Sequence, residues 1–385
     1  MSNLRGTNLA RALRASSWFY GSRSLLLVWA LLLTRQFGIS NYGLFAMAYS
    51  LGTMLSTPID SYFVVRTARV SDEEFDGDRT TRILLGMGLA FVGWLLWPFT
   101  FVGGFAVGKA GVDVCFQASR SALIRSGRPD LTQRADALRQ IAGFVLGAVY
   151  VLLYPGGTLH VAALVYLGGS ATPILMGIRH LITHAPHVPE LSARNVTIIS
   201  ESLAGVAYGN AGIVLLGLLD SSASAGYYAY GYTVLQGIAS IGLGFAVTYH
   251  EPLREAQGAV EAGPPWRSTL LLGMACAGPM LLISLVLLIS GVGHRLWLVF
   301  ALLAPVALSR TIGIVSSVIL LMQHRDLYRL LVTLLCLVIK VGLIALFSRF
   351  GGPAAAGAFL VADAVMGYAY GRAAYGPALL RSRGG

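Results

Sequence analysis

Runs of about twenty apolar residues recur from end to end of this 385-residue chain, each long enough to cross a hydrocarbon layer of about 30 Å as a helix. Composition agrees: 56% of residues are hydrophobic and 12% charged, roughly half the charged share of a soluble domain. The runs are continuous, not alternating, which excludes a transmembrane β-barrel. The fold class expected is therefore an all-α integral membrane protein.

Twelve spans are expected, at residues 15–34, 41–65, 82–100, 102–119, 137–154, 158–178, 196–219, 223–248, 268–290, 295–321, 327–348 and 353–373. Arginine placement orients them. With the N-terminus inside, the inner segments hold 21 arginines and the outer segments only Arg35, Arg295 and Arg349. That positive-inside bias predicts cytoplasmic N- and C-termini. It also accounts for the net charge of +11 as topology-setting, lipid-contacting charge, so nucleic acid is not expected as a partner. Arg5, Arg11 and Arg14 precede the first span without a small-residue cleavage site, which reads as an uncleaved helix.

The loops are too short for a soluble catalytic domain, and no Walker A, HExxH or GxSxG sequence occurs. No enzyme is expected. Cys115, Cys276 and Cys336 lie in apolar spans without CxxC spacing, so neither a disulfide nor a metal site is read from them. Residues 179–194 carry His180, His184, His187, Pro186 and Pro189. The prolines break any helical ligand face, and the segment reads as a solvated linker between lobes 1–185 and 186–385.

Two halves are also written in the sequence. Gly43-Leu-Phe-Ala-Met-Ala-Tyr-Ser50 returns 183 positions later as Gly226-Tyr-Tyr-Ala-Tyr-Gly-Tyr-Thr233. Asp136-Ala-Leu-Arg139 is echoed by Asp326-Leu-Tyr-Arg329, and Gly156-Gly157 by Gly351-Gly352. Six spans per half is an even number, so both halves enter the membrane in one orientation. The expected architecture is two six-helix lobes in a parallel pseudo-repeat, as in many transporters. Gly104 with Gly108, and Gly143 with Gly147, stand at GxxxG spacing for close helix contact in lipid.

Polar residues inside spans carry the functional signal: Arg23, Asp60, Lys109, Asp113, Glu201, Asn210, Arg310, Lys340 and Asp363. A charge at mid-membrane costs about 2.5–3.5 kcal/mol on insertion scales, so each is expected to be paired or to face water. Lys109 and Asp113 are four residues apart on one helix and neutralise each other. Lys340 and Asp363 sit at matching depths, as a structural pair or as a site where a coupling cation competes with the lysine. Arg23 and Arg310 have no acidic residue within helical reach on their own spans. Their planar guanidinium groups suit a visiting phosphate, the alternative being cross-helix pairing with Asp60 or Glu201.

The segment from Asn210-Ala-Gly-Ile-Val-Leu-Leu-Gly-Leu-Leu219 through Ala225-Gly-Tyr-Tyr-Ala-Tyr230 to Glu251-Pro252 resembles the Wzx-type flippases of the multidrug/oligosaccharidyl-lipid/polysaccharide (MOP) exporter superfamily. The stretch Thr34-Arg-Gln-Phe-Gly-Ile-Ser-Asn-Tyr-Gly43 before a helix reaching Asp60 and Arg66, and Arg349-Phe-Gly-Gly352 before the last helix, fit the same pattern. The family's usual aspartate before the seventh-span apolar run is Asn210 here. The resemblance implies outward flipping of a polyprenyl-diphosphate-linked oligosaccharide by alternating access, in a bacterial plasma membrane, for cell-surface polysaccharide biosynthesis. It implies a basic cavity in the N-terminal half, where Arg23 fits as a diphosphate ligand by position; Arg310, in the C-terminal half, is the second candidate from its own mid-span placement. Asp60, Glu201, Asn210, Lys340 and Asp363 then form a coupling or structural network. Partners implied are membrane lipids and polysaccharide-assembly glycosyltransferases or a polymerase. No cofactor is expected beyond a coupling cation, Na⁺ or H⁺. The rival readings are a multidrug exporter of the same superfamily and, from another class, a membrane oligosaccharide polymerase or glycosyltransferase.

Overall fold

The computed structural model describes residues 18, 21–22, 24–67, 70–125, 129–172, 180–181, 183–187, 193–291 and 293–381. Among these residues there are thirteen helices and no strand. The first half contains α1 (Ser24–Phe37), α2 (Ile39–Thr67), α3 (Asp72–Leu96), α4 (Phe101–Arg125), α5 (Pro129–Leu153) and α6 (Leu159–Ser170). The second contains α7 (Ala193–Leu219), α8 (Ser222–Val247), the short α9 (His250–Glu255), α10 (Trp266–Ile289), α11 (His294–Met322), α12 (Asp326–Phe347) and α13 (Gly352–Arg381). Eight of them, α3, α5, α7, α8 and α10 to α13, are long and apolar enough to cross a membrane. The protein is multi-pass. Each of the twelve sequence spans overlaps a helix, and α9 is an addition at the end of α8.

Helix starts follow local chemistry. Ser71 accepts a hydrogen bond from the Glu74 amide at 3.3 Å, and Asp72, Glu73 and Glu74 fill the first turn of α3. Serine at the cap and carboxylates beside the positive helix end both stabilise that start. Ser221 does the same for α8, accepting from the Ser224 amide at 3.2 Å. Pro58, Pro279 and Pro305 are carried inside α2, α10 and α11.

Contacts divide the chain into two compact units, residues 1–206 and 207–385, with the boundary inside α7. Within unit 1, α4 packs on α2, α3 and α6, and α5 packs on α6. Within unit 2, α11 packs on α8, α10 and α13, and α12 packs on α13. Leaving α9 aside, the fourth helix of each half meets the second, third and sixth, and the fifth meets the sixth. The echoed segments open α2 and α8, and both bury the same face: Phe45, Ala46 and Ala48 in one, Tyr228, Ala229 and Gly231 in the other. The Asp136–Arg139 and Asp326–Arg329 echoes both form ion pairs, at 3.1 and 3.4 Å.

Small residues set the tightest packing. A Cβ on Gly93 of α3 would run into the backbone of Gly108 on α4, and one on Gly86 would come within 2.8 Å of the Gly111 carbonyl. A Cβ on Gly143 of α5 would come within 2.8 Å of the Tyr166 carbonyl on α6. Apolar attraction between helices is absent in lipid, so this close backbone approach supplies dispersion contacts instead.

The histidine segment differs from a solvated linker. Leu181 packs against the buried Ile83, Cys115 and Ala118 of α3 and α4. Thr80 and Thr81 donate to the His184 and His187 carbonyls at 3.2 and 2.6 Å, and the His187 amide donates to Gly77 at 3.2 Å. His187 also meets Asp78 at 2.9 Å. The threonines and glycine on the first turns of α3 thus lace the segment onto unit 1. His180 is the buried member, 10% exposed, with Nε2 donating to the Asp76 carbonyl at 3.0 Å and Nδ1 facing Arg79 at 3.5 Å. Burial pushes its imidazole below the ordinary range, and the neighbouring Arg79 and His184 push the same way against Asp76.

Gly93→Leu is expected to lower the melting temperature in detergent, overpacking costing about 1–3 kcal/mol. Gly88→Leu, where nothing lies within 4 Å of the added Cβ, is expected to melt like the wild type. For the strap, the folded state holds His180 neutral, so protons bind first to the unlaced form. Its contribution is whole above the ordinary histidine pKa of about 6.5 and falls as pH drops below it. Hydrogen-exchange protection of residues 180–187, corrected for intrinsic rate, is expected to fall on mild acidification, and less so in His180→Gln.

Candidate functional site

Two polar clusters are buried among the helices, one in each unit. The first is a pair of facing rows. Tyr49, Thr53, Ser56 and Asp60 lie along α2, and Lys109, Asp113, Gln117 and Arg120 along α4. Steps of three and four keep each row on one helix face. Lys109 Nζ donates to Asp113 at 2.5 Å and to Thr53 Oγ1 at 3.1 Å, and sits 4.2 Å from the Tyr49 ring centre. Ser56 donates to the same carboxylate at 3.4 Å. From α5, Arg139 donates to Asp113 Oδ1 at 2.8 Å and to Asp136 at 3.1 Å, with its guanidinium over Phe116. Gln140 holds the other Asp136 oxygen at 2.9 Å.

One turn further along α2, Asp60 is ion-paired with Arg82 of α3. Among the described residues Arg120 makes a single hydrogen bond, to Gln117 at 3.2 Å. With Asp78, which is buried on α3 and acts on Arg82, four cations (Arg82, Lys109, Arg120 and Arg139) face four carboxylates (Asp60, Asp78, Asp113 and Asp136) among the described residues, and Arg120 is the cation without an ion pair there. The Nε atoms of Arg82, Arg120 and Arg139 are buried without an acceptor among the described residues. A groove of about 390 Å³ is lined, among the described residues, by Trp18, Gly21, Ser22, Leu25, Ala137 and Ile141, the last two on α5 next in sequence to Asp136 and Gln140. Its walls are almost wholly apolar.

The second cluster joins α7, α11, α12 and α13. Asp363 accepts from Tyr208 Oη at 2.9 Å, Ser309 Oγ at 3.2 Å and Arg310 Nη1 at 3.4 Å. Lys340, at the same level, donates instead to the Tyr208 carbonyl at 2.6 Å and lies 3.8 Å from the Phe359 ring centre. Arg310 spends one of its five donors on Asp363; its side chain is 22% exposed and lies over Tyr208 and Phe359. Here two cations share one carboxylate.

Of the residues singled out in the sequence, Arg310, Lys340 and Asp363 come together in this cluster. Lys340 and Asp363 share Tyr208 as a neighbour, yet the cation bonded to the carboxylate is Arg310. Asp60 belongs to the first cluster. Glu201 and Asn210 lie half-buried on α7. Arg23 lies outside the described residues. Arg82, Arg120 and Arg139 were counted with the inner loops because the apolar runs end beside them. The helices continue past those ends: Arg82 is the eleventh residue of α3 and Arg139 the eleventh of α5. Signals for both were present, in the Ser71–Glu74 capping box and in Pro129 at a first helical position.

No protein-family model and no curated protein matches the sequence. Solved structures do. The lipid II flippase MurJ in an inward closed conformation superposes with a TM-score of 0.69 at 13% identity, covering 92% of this chain and 86% of that one. An inward-facing multidrug-resistance MATE-family transporter of the MOP superfamily superposes at 0.65 and 13% identity, covering 94% of each chain. A MOP-superfamily transporter from Pyrococcus furiosus, described by a binding pocket of reverse polarity, superposes at 0.58 and 13% identity over 95% of each. At such identity the likeness is one of fold. The chain has the fold of MOP-superfamily transporters, and these neighbours are transporters rather than enzymes.

Asp113 holds two cations, so Asp113→Asn leaves both short of charge. Removing one partner of a buried pair costs about 3–5 kcal/mol, and a large loss of melting temperature in detergent is expected. Combining it with Lys109→Met is expected to return part of that loss, read as a double-mutant cycle.

Proposed function

We propose that the protein is a flippase for a polyprenyl-diphosphate-linked oligosaccharide, working by alternating access in a bacterial plasma membrane with both termini cytoplasmic. The observation that carries this reading is buried guanidinium capacity left unspent among the described residues: the Nε atoms of Arg82, Arg120 and Arg139 have no acceptor, Arg120 has no ion pair, and Arg310 makes one hydrogen bond. An unpaired charge in a low-dielectric interior is costly unless an anion or water comes to it. A diphosphate supplies the anion, and its oxygens match guanidinium donors that lack acceptors. The apolar groove at Ala137 and Ile141 suits the lipid part of such a substrate.

The phosphate ligands proposed are Arg23 and Arg310, to which Arg120 is now added. Arg310 and Arg120 each have donors to spare. Asp60 and Asp363 hold cationic side chains in place, with Lys340, Glu201 and Asn210 as further members of a coupling or structural network. Two lobes, 1–185 and 186–385, rocking about the linker would carry the site from one side to the other. Moving a doubly charged group outward from a negative interior releases about 4.6 kcal/mol per 100 mV, twice the single-charge value. What the arginines must lower is then the barrier, by replacing phosphate hydration. A coupling cation, Na⁺ or H⁺, would serve to reset the carrier. Glycosyltransferases and a polymerase of polysaccharide assembly are the partners this role calls for. A cationic-drug exporter fits less well, since it calls for unspent carboxylates where Arg120 and Arg310 leave guanidinium donors unspent.

Alanine in place of Arg120 or Arg310 removes a charge-assisted contact of about 1.5–3 kcal/mol, tenfold or more in affinity. Each variant, and Arg23→Ala, is expected to accumulate lipid-linked precursor on the inner leaflet at normal protein level. Normal export by all three would count against the assignment.

A further inference from the structure

Lys340 is fully buried, 0% exposed, on α12. A buried ammonium ordinarily sits on a carboxylate, as Lys109 does on Asp113 at 2.5 Å. Lys340 does not. Its Nζ donates to the Tyr208 carbonyl at 2.6 Å and reaches the Gly209 carbonyl at 3.5 Å. Ring faces close the rest of the shell, with Phe359 at 3.8 Å and Tyr208 at 5.0 Å from ring centre to nitrogen. Carbonyl oxygens and aromatic faces are the surroundings that hold small monovalent cations. The negative charge balancing the site is Asp363, one layer out, held at its own oxygens by Tyr208, Ser309 and Arg310. Tyr208 joins the layers, giving its carbonyl to Lys340 and its hydroxyl to Asp363.

We infer that this shell is a binding site for a small monovalent cation, filled in this protein by its own Lys340 ammonium. Unit 2 thereby carries the cation covalently and takes none from solution at this place. The charge holds α7, α12 and α13 together: α7 gives the carbonyls, α12 the ammonium, and α13 the Phe359 face and Asp363. Taking away the amine while leaving space should open the shell to a cation from solution. Filling the space without charge should leave the carbonyls bare.

The test reads stability of the full chain in detergent and is independent of what the protein transports. Lys340→Ala and wild type are melted in choline, sodium, potassium and methylammonium chlorides at equal ionic strength. Wild type is expected to melt alike in all four. Lys340→Ala is expected to melt several degrees lower in choline and to regain at least half of that loss in sodium, potassium or methylammonium, rising with concentration as ligand binding to the folded state requires. A second variant, Lys340→Met, keeps the stem without the charge and is expected to melt below wild type in every salt. The inference is overturned if no small cation raises Lys340→Ala above its choline value, including the case where it folds in none of the salts. It is overturned equally if Lys340→Met melts like wild type.

Discussion

A charge buried among apolar helices cannot be left alone. Asp113 answers that constraint in unit 1 by binding Lys109 on its own helix and Arg139 on α5. Ser56 of α2 closes on the same carboxylate. One acidic side chain thus ties three helices, and the arrangement of α2, α4 and α5 around it leaves the next cation along, Arg120, with donors unspent. In unit 2 Asp363 has the same part, gathering Tyr208, Ser309 and Arg310 from α7 and α11. In each unit this pairing leaves a guanidinium group with donors unspent among the described residues, Arg120 in one and Arg310 in the other.

The two halves repeat a plan and change its contents. The fourth helix meets the second, third and sixth in both. Each cluster has a cation on the fifth helix, Arg139 in one and Lys340 in the other. Yet Arg139 is spread across two carboxylates, while Lys340 sits among carbonyls and rings. Charge distribution has diverged over an architecture held by glycine contacts and aromatic packing, such as Trp29 stacked on Tyr166 at 5.4 Å.

Much of the fold was legible in the sequence because its causes are local. Long apolar runs give helices wherever they occur, and Gly104, Gly108 and Gly143 fall at helix contacts as their spacing implied. The Lys109–Asp113 pair was readable because four residues on one helix fix its geometry. Partners on different helices were not. Arg310 and Asp363 are 53 positions apart, and no periodicity announces that meeting. Matching depth did place Lys340 near Asp363, but depth is blind to the Tyr208 carbonyl that takes the ammonium. Arg82, Arg120 and Arg139 were read only as loop arginines, which hid their buried neighbours. Hydropathy ends a span at its first charges, whereas a helix that turns those charges toward its neighbours continues.

If the unspent guanidinium donors serve the proposed flippase role, they make their most direct demand on the headgroup of the substrate. Reconstituted into vesicles of defined lipid, the protein can be given fluorescent polyprenyl diphosphate, the matching neutral polyprenol and a lipophilic cation, with transbilayer movement followed by quenching from one side. Movement of the diphosphate well above empty vesicles, with the neutral and cationic probes at background, is the predicted result. Equal movement of all three, or movement of the cation alone, would contradict it.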